Sequence, residues 1–184
     1  MSSVKVDNIK HRLSSDDSIS LASDSSVTLK HTGSSKLATT ATGVSITGTL
    51  AGSVDLSGLL REGVNITAGK LSDNTNIDLE DGMVHLFTTQ ETTTSTPNIR
   101  FSSSTTLDSS MSVGEAISVT IITTAAAAAY SAQLTIDGAA VTENWVGGSA
   151  PSDGGSSGVD IHAYTIIKTG SATFTVIANQ SKTS

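Results

Sequence analysis

Residues 18–50 read SISLASDSSVTLKHTGSSKLATTATGVSITGTL. Their large apolar side chains come two residues apart, as Ile19/Leu21, Val27/Leu29 and Val44/Ile46, with polar intervals between. A period of two puts both members of a pair on one face of a strand. Val54/Leu56, Val64/Ile66 and Ile77/Leu79 continue the pattern, while Leu37 stands without a partner in phase. Gly33, Gly43, Gly48, Gly52, Gly58, Gly63 and Gly69 punctuate it where turns are easiest to form. Ser, Thr and Gly fill the positions at which a helix needs better formers. LSGLLREG (Leu56–Gly63) is the one stretch that fits a single helical turn.

Such strands are short of interior. Two mid-sized apolar side chains give roughly 1.5–3 kcal/mol apiece when fully buried. Ordering each residue of the repeat costs about 1.5 kcal/mol. A single chain therefore ends near zero or below. Three chains around one axis can turn their apolar faces inward and give each strand edge a neighbour, so the spacing favours an intertwined, trimeric β-repeat stem. A flexible, unfolded arm is the competing expectation, because hydroxyl-rich, weakly apolar sequence often stays disordered.

The rest of the chain differs. All six aromatic residues, Phe87, Phe101, Tyr130, Trp145, Tyr164 and Phe174, lie beyond the first 82 positions. The expected organisation is an attachment segment at 1–17, a Ser/Thr/Gly-rich stem at 18–82 and a compact domain at 83–184. Strands are predicted at Met83–Thr89, Ala116–Thr124, Ser131–Asp137, Ala139–Val146, Val159–Thr169 and Ser171–Asn179, from β-branched residues and alternation. Asp137-Gly138 and Thr169-Gly170 read as hairpin turns. The loop Gly147–Gly158 must lie at the surface. The predicted fold is thus all-β, a stem followed by a small β-sandwich.

Composition narrows function. The 184 residues include 31 Ser and 27 Thr, only 15% are charged, and the net charge is -7. Lys and Arg do not cluster, which argues against nucleic acid as a partner. Absence of cysteine excludes disulfide and thiolate chemistry. The start MSSVKVDNIKHR has no apolar run after it, so no signal peptide is expected there. Ile117–Leu134 is interrupted by hydroxyls and is no membrane span. His85 and His162 alternate with apolar residues and, without an HxH or HExxH spacing, read as solvent-facing strand residues. His11 and His31 sit among polar residues. DLEDG (Asp78–Gly82) reads as a solvated turn, since no acidic run matches a calcium loop. No GxSxG elbow is present, so no catalytic residue, metal site or cofactor is expected. Trp145 stands at a strand-to-loop transition, where it either seals the core or offers a stacking surface. With Gly147, Gly148, Ser152, Asp153 and Ser156 it forms the candidate contact site for a receptor or partner. Tyr164 and Phe174 are expected to pair across neighbouring strands.

GEAISVTIITTAAAAAYSAQLTIDGAAVTENWVGGSAPSDGGSSGVDIHAYTIIKTGSATFTVIANQSKT (Gly114–Thr183) resembles the C-terminal domain of structural proteins of marine and cyanobacterial tailed phages, above all in WVGGSAP and YTIIKT. SVKVDNIKH (Ser3–His11) is similar to the start of phage fibre proteins. The resemblance implies a non-enzymatic virion protein: a homotrimer held to other virion proteins by its N-terminal segment, with an outward knob touching a host glycan or protein. It implies a place on the tail or, alternatively, a head fibre or decoration on the capsid surface. No membrane insertion is expected.

Overall fold

The computed structural model describes residues 7–10, 15–48, 50, 57–131 and 133–183. The Val54/Leu56 pair, His11 and most of segment 1–17 lie outside the described residues. The fold is all-β with several sheets, and the chain divides into two compact units, Met1–Gly58 and Leu59–Ser184.

The first unit is one antiparallel sheet of β1 (Asn8–Lys10), β2 (Asp17–Leu21), β3 (Val27–His31), β4 (Ser34–Thr40) and β5 (Gly43–Ile46), in that spatial order. Tight turns set this arrangement. His31 lies opposite Ser34, and the two residues between them, Thr32 and Gly33, have φ of 48° and 77°. Positive φ at both centres gives the reverse turn whose twist matches a hairpin. The strands pair with their sequence neighbours inside one chain. Among the described residues the outer edges of β1 and β5 have no strand beside them. No described residue of this sheet is buried.

The second unit is a short coil followed by antiparallel strands. The chain alternates between two sheets through β6 (Val64–Thr67), β7 (Asn76–Asp78), β8 (Val84–Gln90), β9 (Asn98–Arg100), β10 (Ala116–Thr124) and β11 (Thr135–Ile136). Each strand runs parallel to the one laid down a turn earlier: Val64 faces Val84, His85 faces Ile121, Asn76 faces Asn98 and Asn98 faces Thr135. These are three turns of a parallel solenoid, in which each coil contacts mainly its neighbours. The boundary expected near Met83 thus falls inside this unit, because 64–67 and 76–78 form its first coil. Ser57–Gly63 contains no helical turn.

After β11 the chain reverses through Asp137-Gly138, at φ 52° and 79°, into β12 (Ala139–Ala140). β13 (Glu143–Trp145), β14 (Val159–Gly170) and β15 (Thr173–Lys182) complete the larger sheet, whose order is β13-β15-β14-β10-β8-β6. The smaller is β12-β11-β9-β7. The second hairpin turns at Ser171-Ala172, past the expected Thr169-Gly170, with Gly170 opposite Thr173. A single turn of helix, α1 (Leu107–Ser110), sits between β9 and β10. One apolar core draws on both sheets, with Ile77, Ile99 and Ile136 from the smaller and Val119, Ile121, Ile166 and Val176 from the larger.

Parity along β14 corrects three expectations. Asp160, His162, Tyr164, Ile166 and Lys168 are buried, while Val159, Ile161, Ala163, Thr165 and Ile167 are only half-buried on the opposite face. His162 and, on β8, His85 are therefore interior, at 1% and 3% exposure, and not solvent-facing. Tyr164 lies opposite Ala178 and Phe174 opposite Lys168, so the two rings are not cross-strand partners. The aromatic that meets Tyr164 is Trp145, edge to face at 6.4 Å and 71°.

Successive coils are joined by a polar ladder. Asn98 Nδ2 donates to Asn76 Oδ1 at 2.8 Å, while its Oδ1 accepts from Thr135 Oγ1 at 3.0 Å and from the Gly138 amide at 2.8 Å. Asn98→Ala should lower the unfolding free energy of the second unit by about 2 kcal/mol, since it strands partners on two neighbouring coils. Urea unfolding followed by Trp145, the single tryptophan, measures this; a loss below about 0.5 kcal/mol would show that the ladder does not hold the coils.

Candidate functional site

Trp145 ends the short edge strand β13, parallel to β15 and opposite Ala178. Its half-buried ring packs against the core on the edge of Tyr164. The Val146 amide donates to Ala178 O at 2.8 Å, and the Gly148 amide returns to Trp145 O at 2.9 Å. Gly147 and Gly148, at φ of 90° and 87°, turn the chain outward where other residues would be strained. Both are exposed.

The loop is then drawn back to the sheet. Gly154 and Gly155 are buried, and the Gly155 amide donates to both oxygens of Asp160, at 3.0 and 2.9 Å. A Cβ on Gly154 would stand 2.4 Å from Ala126 O, so the backbone passes where no side chain fits. Asp153 Oδ1 meets Lys182 Nζ at 2.5 Å, and its carbonyl accepts from Gln180 Nε2 at 3.3 Å. Ser152, Asp153 and Ser156 are exposed. Trp145 is level with Ala178, and Asp153 with Gln180 and Lys182, two to four positions or about 7–14 Å further along β15. Trp145 and Asp153 thus both lie beside β15, the Trp145 ring packed inward. Ser152 and Ser156 are exposed, while the loop crosses at Gly154-Gly155 to Ala127 and Asp160.

Two polar hollows lie elsewhere in this unit. One, of about 270 Å³, is lined by Asn98, Arg100, Ser102–Thr106, Asp137 and Gly138. Arg100 holds Asp78 through Nε and, at 3.1 Å, through Nη2. Asp137 accepts from the Leu107 and Asp108 amides at 2.7 and 3.0 Å, which fixes the start of α1. The other, of about 210 Å³, includes Asn65, Lys70, Asp73, Asp78, Asp81 and His85. Lys70 pairs with Asp73 at 3.2 Å, and Asn65 with Asp81 at 3.3 Å. Burial lowers the His85 pKa, opposed by a hydrogen bond with Gly82 O and by Asp81 and Asp78. In these hollows Arg100 and Lys70 are held by carboxylates, and Asp137 and Asp81 by backbone or side-chain amides. Among the described residues no group of three or more His, Cys, Asp or Glu has metal-binding geometry, and no helix is long and apolar enough to cross a membrane.

The surface that sequence reasoning only half identified is in the first unit. Register aligns Ile9, Ile19, Leu29, Leu37 and Ile46 across all five strands. Directly opposed residues share a face. Leu37, out of phase in sequence, therefore belongs to the row, and Ile9 extends it. Ile9, Leu29 and Ile46 are 49%, 40% and 48% exposed. A second row, Leu21–Val27–Thr39–Val44, runs beside the first.

No family model matches this chain, and neither the curated proteins nor the solved structures contain a match to it.

Proposed function

We propose that this chain is a non-enzymatic subunit of a phage fibre, trimeric through its N-terminal sheet, borne on the tail and engaged in host-surface contact. The row Ile9–Ile19–Leu29–Leu37–Ile46 carries the proposal. It crosses a sheet that has no buried residue among those described, so the sheet lacks an interior of its own. Contiguous apolar area of this kind marks an interaction surface. Three such faces turned to a common axis supply one another's interior without the strands being exchanged. The two-sheet unit, read as a compact sandwich-like knob, is then held outward in three copies. Avidity follows, because each copy raises the effective concentration of the next. The exposed edge from Gly147 to Ser156 is the proposed contact with a host glycan or protein, and segment 1–17 the proposed contact with other virion proteins. The likeness of Gly114–Thr183 and Ser3–His11 to tailed-phage proteins supports the virion reading.

Sedimentation equilibrium of the full chain should give three times the 18.6 kDa subunit mass. Leu29→Glu, at the centre of the row, should weaken association at least about 100-fold, since it would bury an unpaired carboxylate. Trp145 fluorescence should stay unchanged. A wild-type monomer at every concentration, with its N-terminal β signal intact, overturns the stem. Purified protein that competes with phage adsorption supports host contact; unchanged adsorption favours a head fibre that stabilises the particle. Product release from host polysaccharide would refute the non-enzymatic reading.

A further inference from the structure

We propose that Leu59–Gly63 is a processing site, a peptide presented for cleavage after Arg61 by a serine endoprotease with an acidic specificity pocket. The inference goes beyond the fibre reading and does not depend on it.

A protease takes its substrate as an extended peptide, so a folded chain is cut where consecutive residues are already free of the fold or open at little cost. Ser57–Gly63 is such a stretch. Each of its residues is exposed, and none belongs to a strand or helix. No hydrogen bond or ion pair joins Ser57–Glu62 to another described residue. Leu59 and Leu60 are 84% and 76% exposed, the two highest values among the described large apolar side chains. Moving them into a protease cleft costs no packing within the chain and gains apolar burial. Gly58 and Gly63 flank them and let the backbone adjust.

The other described basic residues are withheld. Lys10, Lys30, Lys36, Arg100, Lys168 and Lys182 lie in strands, where ladder bonds must open before a cut. Lys70 is half-buried, paired with Asp73 at 3.2 Å and bonded to Thr92 at 3.1 Å. Among the described residues, Arg61 alone joins an exposed guanidinium to an unbonded backbone. A carboxylate at the base of a protease pocket pairs with such a guanidinium. In the cleavage the Arg61–Glu62 C–N bond breaks as water adds across it. The water oxygen joins the Arg61 carbonyl carbon and a water proton the Glu62 nitrogen, leaving a carboxylate and an amine. The cut falls after Ile46, the end of β5, and before Val64, the start of β6, so it breaks neither strand. It lies within three residues of the boundary between the two compact units. On the fibre reading, it would part Gly147–Ser156 from the sheet that joins the copies, and so end avidity.

The full chain in native buffer with dilute trypsin should yield, as its first large product, a chain that begins at Glu62. Lys5 and Arg12 lie outside the described residues, and cuts there trim the N-terminus without making that product. Arg61→Gln should slow its appearance at least about tenfold. Thermolysin, which cuts beside leucine, should still open Leu59–Leu60 in that variant. A first cut inside Glu62–Ser184, an equal rate in Arg61→Gln, or a segment that neither protease opens overturns the proposal. Resistance that Leu29→Glu removes also overturns it, because associated copies then cover the segment, and it upholds their contact.

Discussion

Lys168→Met should destabilise the second unit by about 3 kcal/mol, the lower end of the cost of breaking a buried ionic contact. Lys168 on β14 is 7% exposed. Its ammonium donates to the carbonyl oxygens of Asp108 and, at 2.8 Å, Met111, and it pairs with the Asp108 carboxylate at 2.8 Å. The same carboxylate accepts from the Ala172 amide at 2.7 Å. One amine thus ties α1 to the β14–β15 hairpin. Methionine replaces the aliphatic stem but donates nothing, leaving two carbonyls without their donor. With a urea slope of about 1.5–2 kcal/mol/M, the Trp145 unfolding midpoint should fall by about 1.5–2 M. The Lys168 hydrogen bond, then the Ala172 amide, lowers the Asp108 pKa from 3.8. A depressed carboxylate contributes stability above its unfolded pKa and loses it as pH falls through the folded one. The variant should therefore also lose acid sensitivity in that lowest range. A midpoint shift equivalent to less than about 0.5 kcal/mol would refute the ionic tie.

Where the sequence was legible, local chemistry decided the outcome. Ala116–Thr124 forms the strand expected of it, because nine residues of β-branched alternation leave little alternative. Asp137-Gly138 turns as expected, because both centres tolerate positive φ. Asn98–Arg100 carries no period within three residues. It is a strand because it lies beside coils one turn away, information that is not local, whereas the Ile77/Leu79 pair did mark β7, which ends at Asp78. The predicted Ala139–Val146 breaks at Val141-Thr142, one half pairing with β11 and the other with β15.

The parity of β14 was illegible for a different reason. Its two faces are similarly apolar, Tyr164 and Ile166 on one and Ile161 and Ile167 on the other. Interior partners choose between them: backbone amide for Asp160, backbone carbonyls for Lys168. The same choice leaves the aliphatic face outside. Of the candidate site, the glycine turn at Gly147-Gly148 could be read from composition. The inward direction of Trp145 depends on Tyr164, which is distant in sequence. In the first unit, pairs at a spacing of two marked the apolar face, but hairpin register brought Leu37 and Ile9 into it.

The second large effect is acid weakening of the same unit between about pH 6.5 and pH 4. His162 is 1% exposed, and neither ring nitrogen meets a hydrogen-bond partner. Its sheet neighbours at that level, Ile121 and Gln180, do not titrate. Burial pushes its pKa from 6.5 to about 4, with Asp160 acting weakly the other way. The folded state therefore keeps the imidazole neutral while the unfolded chain binds a proton. Stability is complete above pH 6.5, falls as the unfolded histidine protonates, and levels off below about pH 4 once the folded one does too. The full drop is about 3 kcal/mol for this displacement. His85, also lowered chiefly by burial, adds a loss of the same sign. His162→Leu separates the two. Leucine removes the unpartnered nitrogens, so the variant should be at least as stable as wild type at pH 7. It should lose most of the slope between pH 6.5 and 4, leaving the part due to His85. Urea midpoints at half-unit pH intervals, read from Trp145, give both slopes, and NMR of the imidazole should find His162 neutral at pH 5 in the folded protein. A protonated His162 at that pH, or an unchanged slope in His162→Leu, would show that the ring has a partner inside the sheet. The outward placement of the β14 aliphatics would then lose its interior counterpart.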